Sequence, residues 1–388
     1  MIDFDIASGI YLHIPFCQQK CRYCDFFSIK YDAEIINTYV KFLKKEIKIH
    51  GLLINNNTIN TIYLGGGTPS LLSSTQISSI LNHINKYFSI KKGAEITLEA
   101  NPISLSKKKI RSYNIAGINR ISLGVQSFSD KILKFLGRLH DASRVKYVLE
   151  EINKVFDNYS LDLMFAIPGQ ELSDWKESLQ NAIFFNPTHI SLYNLEIDKD
   201  TEIGRLIKNG EISTFDEDLD ANMYIEAREY LSKNGYNQYE ISSFSKPSFR
   251  SKHNQIYWRY EPFLGMGAAA HGFTGKKRYY NYSNVEKYIN LLKDGRLAVE
   301  ELINLNKEEL IAEKMIMNLR LLEGISCSDF IKFSGYSLDD YFGEKIKKLQ
   351  KNGLLLKENN RLKLSEKGLM LGNQVFLEFL AKTFDKDL

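Results

Sequence analysis

The stretch Gly9-Ile-Tyr-Leu-His-Ile-Pro15-Phe-Cys17-Gln-Gln-Lys-Cys21-Arg-Tyr-Cys24 carries the most specific pattern of the sequence. A strand-like run leads directly into three cysteines at C-x3-C-x2-C spacing. Three thiolates this close can ligate three corners of a four-iron cluster and leave the fourth iron without a protein ligand. The spacing disfavours zinc, whose structural sites use four ligands, usually as paired C-x2-C units. The alternative is three unrelated thiols, and the distant Cys327 is expected to be a small buried apolar residue.

A second strand-like run, Thr61-Ile-Tyr-Leu, enters the turn Gly65-Gly66-Gly67-Thr68-Pro69. The predicted strands are Ile10–His13, Thr61–Leu64, Glu95–Glu99, Arg120–Gln126, Ser160–Met164 and His189–Leu195, and helical periodicity lies between them near 33–49, 74–88, 104–115, 142–155 and 171–185. Six such β-α alternations predict an α/β fold with a parallel sheet, either doubly wound or a partial (β/α)6 barrel. Because the cysteine loop and the glycine turn both follow strands, the barrel is favoured.

The cysteine loop after the first strand and the GGGTP turn after the second resemble the radical S-adenosylmethionine (SAM) superfamily. Tyr-Leu-His-Ile-Pro-Phe-Cys is similar to the branch that holds oxygen-independent coproporphyrinogen III oxidase and the heme chaperones. The resemblance runs from about residue 9 to about residue 272 and continues more weakly to the C-terminus. It implies a 4Fe-4S cluster on Cys17, Cys21 and Cys24, with SAM chelating the open iron.

The resemblance also implies a set of SAM contacts at the strand ends. Glycines let backbone groups approach the amino acid portion of SAM closely, carboxylates accept hydrogen bonds from ribose hydroxyls or the amino group, and an arginine pairs with the carboxylate. Taken singly, each polar residue of this kind is more often an ordinary strand-end or surface group, and it is their joint fit to the order of the family motifs that favours SAM contact for the set. The implied set is Tyr11, Tyr23, Gly66, Gly67, Thr68, Glu99, Gln126, Arg138 and Asp162.

The segment His253-Asn-Gln-Ile-Tyr257-Trp258 resembles the HNxxYW motif of the heme-chaperone branch. Imidazole is a common axial ligand of heme iron, so His253 is expected to contact heme, with Tyr257 and Trp258 as aromatic walls. In a helix, His253 and Tyr257 would share one face. Without the resemblance, a histidine beside aromatic residues is more often a core residue.

Two departures separate the chain from the oxidase. That enzyme typically has a fourth cysteine two positions after the third, where this chain has Phe26, and it has an extension before the first strand, where only ten residues precede Tyr11. The expected function is therefore a heme chaperone that binds heme and transfers it to an unidentified acceptor protein. Coproporphyrinogen III oxidase and another radical SAM enzyme stay as alternatives, and whether the chain is an enzyme is left open.

Bulk properties narrow the class of protein. A net charge of +4 is too small to argue for nucleic acid, so no nucleic acid partner is expected. No apolar run reaches membrane-span length, although the acceptor could itself be membrane-associated. The N-terminus lacks the pattern of a secretory signal, and an oxygen-sensitive cluster needs a reducing compartment, so the expected location is the cytoplasm.

The expected organisation is a radical SAM core over residues 1–235, a connecting segment with the HNxxYW motif over 236–283, and a smaller helical domain over 284–388. The connecting segment begins with a strand-like run at Tyr236–Ser242. The last domain ends in two strand-like runs within Leu354–Leu364. Helices followed by such a hairpin resemble a winged-helix module. The oligomeric state is left open.

Overall fold

The computed structural model describes residues 7–54, 58–213 and 216–380. Most of the N-terminal segment on which the signal-sequence argument rests therefore lies outside the described residues. The helices are α1 Ala33–Leu53, α2 Ser74–Tyr87, α3 Lys107–Ile115, α4 Asp130–Phe135, α5 Ala142–Asn153, α6 Leu172–Phe184, α7 Glu202–Lys208, α8 Glu217–Lys233, α9 Lys252–Trp258, α10 Val285–Lys293, α11 Lys307–Leu319, α12 Cys327–Ser334, α13 Leu338–Lys351, α14 Glu366–Met370 and α15 Gly372–Phe379. Within these ranges no helix is long and apolar enough to cross a membrane.

The strands form one large sheet and two small ones. They are β1 Gly9–Ile14, β2 Phe16–Cys17, β3 Ile29–Lys30, β4 Thr58–Gly66, β5 Ser89–Ala100, β6 Arg120–Gln126, β7 Tyr159–Phe165, β8 His189–Asn194, β9 Asn237–Gln238, β10 Ser243–Ser245, β11 Phe263–Met266, β12 His271–Phe273, β13 Lys277–Asn281, β14 Val299–Asn304, β15 Ile325–Ser326, β16 Leu355–Glu358 and β17 Arg361–Leu364. The large sheet has the order β14-β13-β12-β11-β1-β4-β5-β6-β7-β8-β10-β9. From β11 to β8 neighbouring strands are parallel, and the sheet does not close on itself.

The predicted partial (β/α)6 barrel is confirmed. Its six strands are β1 and β4 to β8, and helices alternate with them outside the sheet. Local sequence fixes several of these helices: Asp32 caps α1 by accepting from two backbone amides, and Ser73 and Gln76 form a capping box on α2.

The two faces of the parallel sheet differ in chemistry. On the outer face Leu12, Leu64 and Leu123 are fully buried in the larger hydrophobic core, and each such burial stabilises the fold by roughly 1.5–3 kcal/mol. Alternate residues point the other way, and these are polar, such as Thr61 and Ser122. The barrel therefore has an apolar outer wall under the helices and a polar concave interior, which we call the lumen.

The region after residue 235 adds strands to this sheet. The strand-like run predicted at Tyr236–Ser242 contains only the short strand β9, since Glu240 forms a bridge with Leu321 instead, and β10 begins one residue after the run. β11 pairs with β1 in parallel, and β12 to β14 continue the sheet. The larger core reaches Ala298, later in the chain than the predicted start of the last domain at residue 284.

A second, smaller core begins at Ile311 and includes the C-terminal helices. The order α11, β15, α12, α13, β16, β17 is that of a winged helix, with β15 and the β16–β17 hairpin forming a three-stranded sheet. Asn359 and Asn360 make the hairpin turn with φ of +50° and +59°, a conformation that asparagine tolerates well. The predicted hairpin and helical C-terminal domain are therefore present, and we call residues 307–379 the C-terminal module.

Candidate functional site

The cysteine loop leaves the carboxyl end of β1 and is closed by a short strand pair. β2 and β3 run in parallel, with Ile29 donating to the Pro15 carbonyl at 2.7 Å and Tyr31 to the Cys17 carbonyl at 2.8 Å. All three cysteines are free thiols and half-buried. The loop therefore presents three soft ligands from a backbone whose two ends are tied together.

Each thiol has a distinct environment. Cys17 Sγ lies 3.5 Å from the Thr68 hydroxyl, and Cys21 Sγ lies 3.5 Å from a terminal nitrogen of Arg138. Burial raises the pKa of the Cys24 thiol to about 11, so a bound metal must drive its deprotonation. No three His, Cys, Asp or Glu side chains in the described ranges are grouped to hold a single metal ion. In a four-iron cluster each thiolate binds a different iron, so the thiols need not meet at one point.

The glycine turn packs directly against the cysteine loop. A Cβ atom on Gly67 would lie 2.8 Å from the Phe16 carbonyl oxygen and 3.1 Å from Cys17 Sγ. Gly66 has φ of +108°, and a Cβ there would meet the His13 ring at 2.6 Å. Only residues without a side chain allow this close approach of the turn to the loop.

The two predicted carboxylates face the lumen. Glu99 accepts a hydrogen bond from the Tyr63 hydroxyl at 2.7 Å and one from the Gly66 amide at 3.1 Å. Burial raises the pKa of Glu99 to about 7, although these two hydrogen bonds oppose the shift. Asp162 accepts from Ser122 at 3.1 Å, and burial raises its pKa as well.

Arg138 lies between the cysteine loop and the end of β6. It donates to the Gly124 carbonyl at 2.6 Å and to the Tyr23 hydroxyl at 3.4 Å. Its Nε is buried and has no hydrogen-bond partner among the described residues. A Cβ on Gly124 would lie 3.0 Å from Gln126 Nε2 and 3.3 Å from Arg138, so the glycine lets both polar side chains approach.

Tyr11 also points into this region. Its hydroxyl lies 3.0 Å from His13 Nδ1 and its ring stacks on Tyr63 at 6.2 Å. The structure thus places the predicted SAM contacts on the lumen side of the strands and in the loops that follow them. Sequence reasoning missed the other residues that line a cleft beside Cys21, Thr68 and Arg138, which are Gln18, Gln19, Asn101, Ile103, Gly137 and Leu139. For Asn101 the available signal was its place directly after β5, where it caps the next turn by accepting from the Ile103 amide.

The HNxxYW segment forms helix α9, and its first part faces the sheet. His253 has no exposed surface. Its Nδ1 lies 2.7 Å from the Thr61 hydroxyl and its Nε2 lies 2.8 Å from the Tyr257 hydroxyl. Burial, with the charge of Arg120, lowers the pKa of His253 to about 3, so the ring is neutral. Both ring nitrogens are therefore engaged, and iron could bind either one only after a hydrogen bond opens.

The end of α9 faces the C-terminal module. The guanidinium of Arg320 lies 4.5 Å from the Trp258 ring centre, and Asn318 donates to the Trp258 carbonyl at 3.1 Å. Tyr257 lies between the two ends, packed on Phe263 at 4.7 Å. The three predicted heme contacts thus do not share one open surface: the helix joins the barrel to the C-terminal module.

Comparisons with known proteins agree with this architecture. The sequence profile of the radical SAM superfamily matches residues 11–182, and that of the HemN C-terminal domain matches residues 305–371. The heme chaperone HemW of Bacillus subtilis is 35% identical over 374 residues, which cover 96% of this chain and 99% of that protein. The heme chaperone HemW of Lactococcus lactis is 36% identical, with 96% and 97% covered.

Among solved structures, coproporphyrinogen III oxidase (HemN) from Escherichia coli, a radical SAM enzyme, has the same fold, with a TM-score of 0.84. It is 22% identical and the match covers 97% of this chain and 90% of that chain.

Membership in the radical SAM superfamily implies a 4Fe-4S cluster and SAM, and the site fits both. The loop supplies three free thiols, Gly67 lies against Cys17, and the buried Arg138 has an Nε without a partner in the described residues. The extent of the match to the HemW relatives decides the narrower family. The chain therefore belongs to the heme chaperone HemW family of the radical SAM superfamily.

Proposed function

We propose that this chain is a heme chaperone, which binds heme and transfers it to an acceptor protein. The observation that carries the proposal is the match to the HemW relatives over nearly their whole length. Phe26 supports it: it stands where the oxidase branch has its extra cysteine, and it is 61% exposed beside Cys24, where it cannot act as a thiol. The oxidase alternative is not favoured.

In this proposal Cys17, Cys21 and Cys24 hold the cluster. The cluster supplies an iron that SAM can chelate, and the chain's own groups orient that molecule. Arg138 binds the carboxylate, Glu99 and Asp162 accept hydrogen bonds, and the Gly66–Thr68 backbone lies against the amino acid portion. Tyr11, Tyr23 and Gln126 are the remaining proposed contacts to SAM.

Heme contact is proposed for His253, Tyr257 and Trp258. Axial ligation by His253 requires its hydrogen bond to Thr61 or to Tyr257 to break. The free energy gained by heme binding must exceed the free energy of that hydrogen bond. The alternative ligands are His13, His140 and His271. Of these, His13 and His140 are buried, whereas His271 is exposed at the start of β12 and is therefore tested first. The acceptor is an unidentified protein, and the proposed location is the cytoplasm, since the cluster requires a reducing environment.

The test is an anaerobic heme titration of the reconstituted chain beside a coproporphyrinogen III turnover assay. We expect saturable heme binding and no decarboxylated product. His253→Ala and His271→Ala should be titrated in parallel, with Asn254→Ala as the control, because an amide is a poor iron ligand. The variant that shifts the heme absorption bands identifies the axial histidine. Decarboxylation of coproporphyrinogen III with SAM consumed in step would overturn the chaperone assignment.

A further inference from the structure

Arg120 lies at the floor of the lumen, at the amino end of β6. Strand alternation sends Ile121, Leu123 and Val125 into the core under the helices, so Arg120 and Ser122 project to the concave side. Arg120 is only 2% exposed. Its charge acts on Glu99, Asp162 and His253, all of which face the lumen. The guanidinium is therefore inside the barrel and not on its outer surface.

This buried cation lacks a partner. Within residues 7–54, 58–213 and 216–380, the side chain of Arg120 makes no hydrogen bond or ion pair, and its Nε is fully buried. Thr97, which sits opposite Arg120 in the β5–β6 register, also has a buried hydroxyl without a partner there. An unpaired charge in a protein interior costs several kcal/mol by desolvation, so it is rarely retained without a ligand or counter-charge.

The surrounding polar groups are satisfied by one another. His189 contacts Ser160 at 2.8 Å and the Tyr239 hydroxyl at 2.9 Å. Glu95 accepts from the backbone amides of Lys252 and His253. Arg120 and Thr97 are thus two adjacent donors without acceptors, beside polar groups that already hydrogen-bond to other partners. Two adjacent donors of this kind suit an acceptor with two oxygens.

The side chains that line the lumen above them are partly exposed. Tyr63, Glu99 and Asp162 are half-buried, and Tyr193 is 43% exposed even though Asp162, Glu240 and Glu99 all lie close to it. A ligand can therefore enter from the carboxyl ends of the strands, between tyrosine rings. Glu99 would repel an anion there, but burial raises its pKa to about 7, which reduces its negative charge near neutral pH. Burial raises the pKa of Asp162 as well.

We infer that Arg120 and Thr97 form an anion subsite on the floor of the lumen, which takes a carboxylate of a bound ligand. Arginine is the side chain best matched to a carboxylate, because its planar fork donates two parallel hydrogen bonds. Two sources supply that chemistry: a propionate of heme, in which case the inference rests on the proposed function, or a small carboxylic acid.

The first arm of the test compares heme with heme dimethyl ester, whose propionates carry no charge. In the wild-type chain we expect heme to bind about tenfold or more tightly than the ester, and Arg120→Met to remove that preference while ester binding is unchanged. Thr97→Val should reduce the preference for heme by a smaller factor. It is the test variant if Arg120→Met fails to fold. The control is Arg111→Met, an exposed arginine on α3.

The second arm uses sodium acetate against sodium chloride at equal ionic strength, with the unfolding midpoint of the chain as the readout. A midpoint raised by acetate in the wild type but not in Arg120→Met assigns the subsite to a small carboxylate. If the preference for heme over its ester and the effect of acetate on the midpoint are both unchanged in Arg120→Met and Thr97→Val, the inference of an anion subsite is refuted. If the wild type binds no heme, the proposed function fails, and the acetate arm still decides the subsite.

Discussion

Single residues decide whether the cysteine loop can hold a cluster. Cys17, Cys21 and Cys24 are the clustered soft ligands of the sequence, and Cys327 begins α12 in the C-terminal module. We expect alanine at any of the first three to abolish cluster assembly after anaerobic reconstitution, because each thiolate binds a separate iron. Cys327→Ala is the control and should keep full iron and sulfide content. Normal iron and sulfide in Cys21→Ala would refute this ligand set.

Glu99 should make the free energy of unfolding depend on pH. Its pKa is about 7 in the folded chain against 4.5 for an ordinary glutamate, so between these values the folded state binds more protons than the unfolded state. The free energy of unfolding should therefore fall as pH rises through this window, by roughly 3 kcal/mol in all. Glu99→Gln should remove this dependence, so that the variant gains stability over the wild type between pH 5 and pH 8.

Denaturant unfolding of the chain without cofactor at several pH values measures this gain. Glu150→Gln, on the exposed side of α5, is the control and should follow the wild type. A constant difference between Glu99→Gln and wild type across the range would show that the Glu99 pKa is not raised.

At the scale of elements, the contact between the glycine turn after β4 and the strand β2 sets the position of the cysteine loop. Gly67→Ala would place a methyl group 2.8 Å from the Phe16 carbonyl oxygen, which must displace the start of the loop. We expect the variant to fold but to retain little iron after reconstitution. Gly343→Ala is the matched control, because a Cβ there meets nothing within 4 Å in α13, and it should stabilise that helix by up to about 1 kcal/mol. Full iron retention in folded Gly67→Ala would contradict the argument.

Elements with a strong local pattern could be predicted from the sequence. The alternation in Arg120–Gln126 and the helical spacing of His253 and Tyr257 both match the structure, and the 2.8 Å contact between those two side chains follows from that spacing. The bond from His253 to Thr61 could not be predicted, since it joins segments far apart in the chain. β11 was missed because four residues that include a glycine carry no clear strand period.

At the scale of the whole molecule, α9 and its neighbours connect the barrel to the C-terminal module. The Tyr260 hydroxyl donates to Glu313 of α11 at 2.7 Å, and Arg278 of β13 pairs with the same carboxylate at 3.2 Å. Trp258 adds its contact with Arg320. Composition and periodicity predicted a helical C-terminal domain with a hairpin, but they carried no information about these contacts. The end of the HNxxYW segment therefore lies at the contact between the barrel and the C-terminal module.

Loss of the Glu313 side chain should make the C-terminal module unfold separately from the barrel. Glu313→Ala leaves the Tyr260 hydroxyl and Arg278 without this acceptor, at a cost of about 1–3 kcal/mol. We expect scanning calorimetry to show the C-terminal module unfolding at a lower temperature than the barrel, where the wild type unfolds in one transition. Glu344→Ala is the control, since that side chain is 98% exposed and its pair with Lys347 spans 4.0 Å, so it should leave the trace unchanged. A single transition at the wild-type temperature in Glu313→Ala would mean that Trp258, Arg320 and the bridge from Glu240 to Leu321 suffice to hold the module on the barrel.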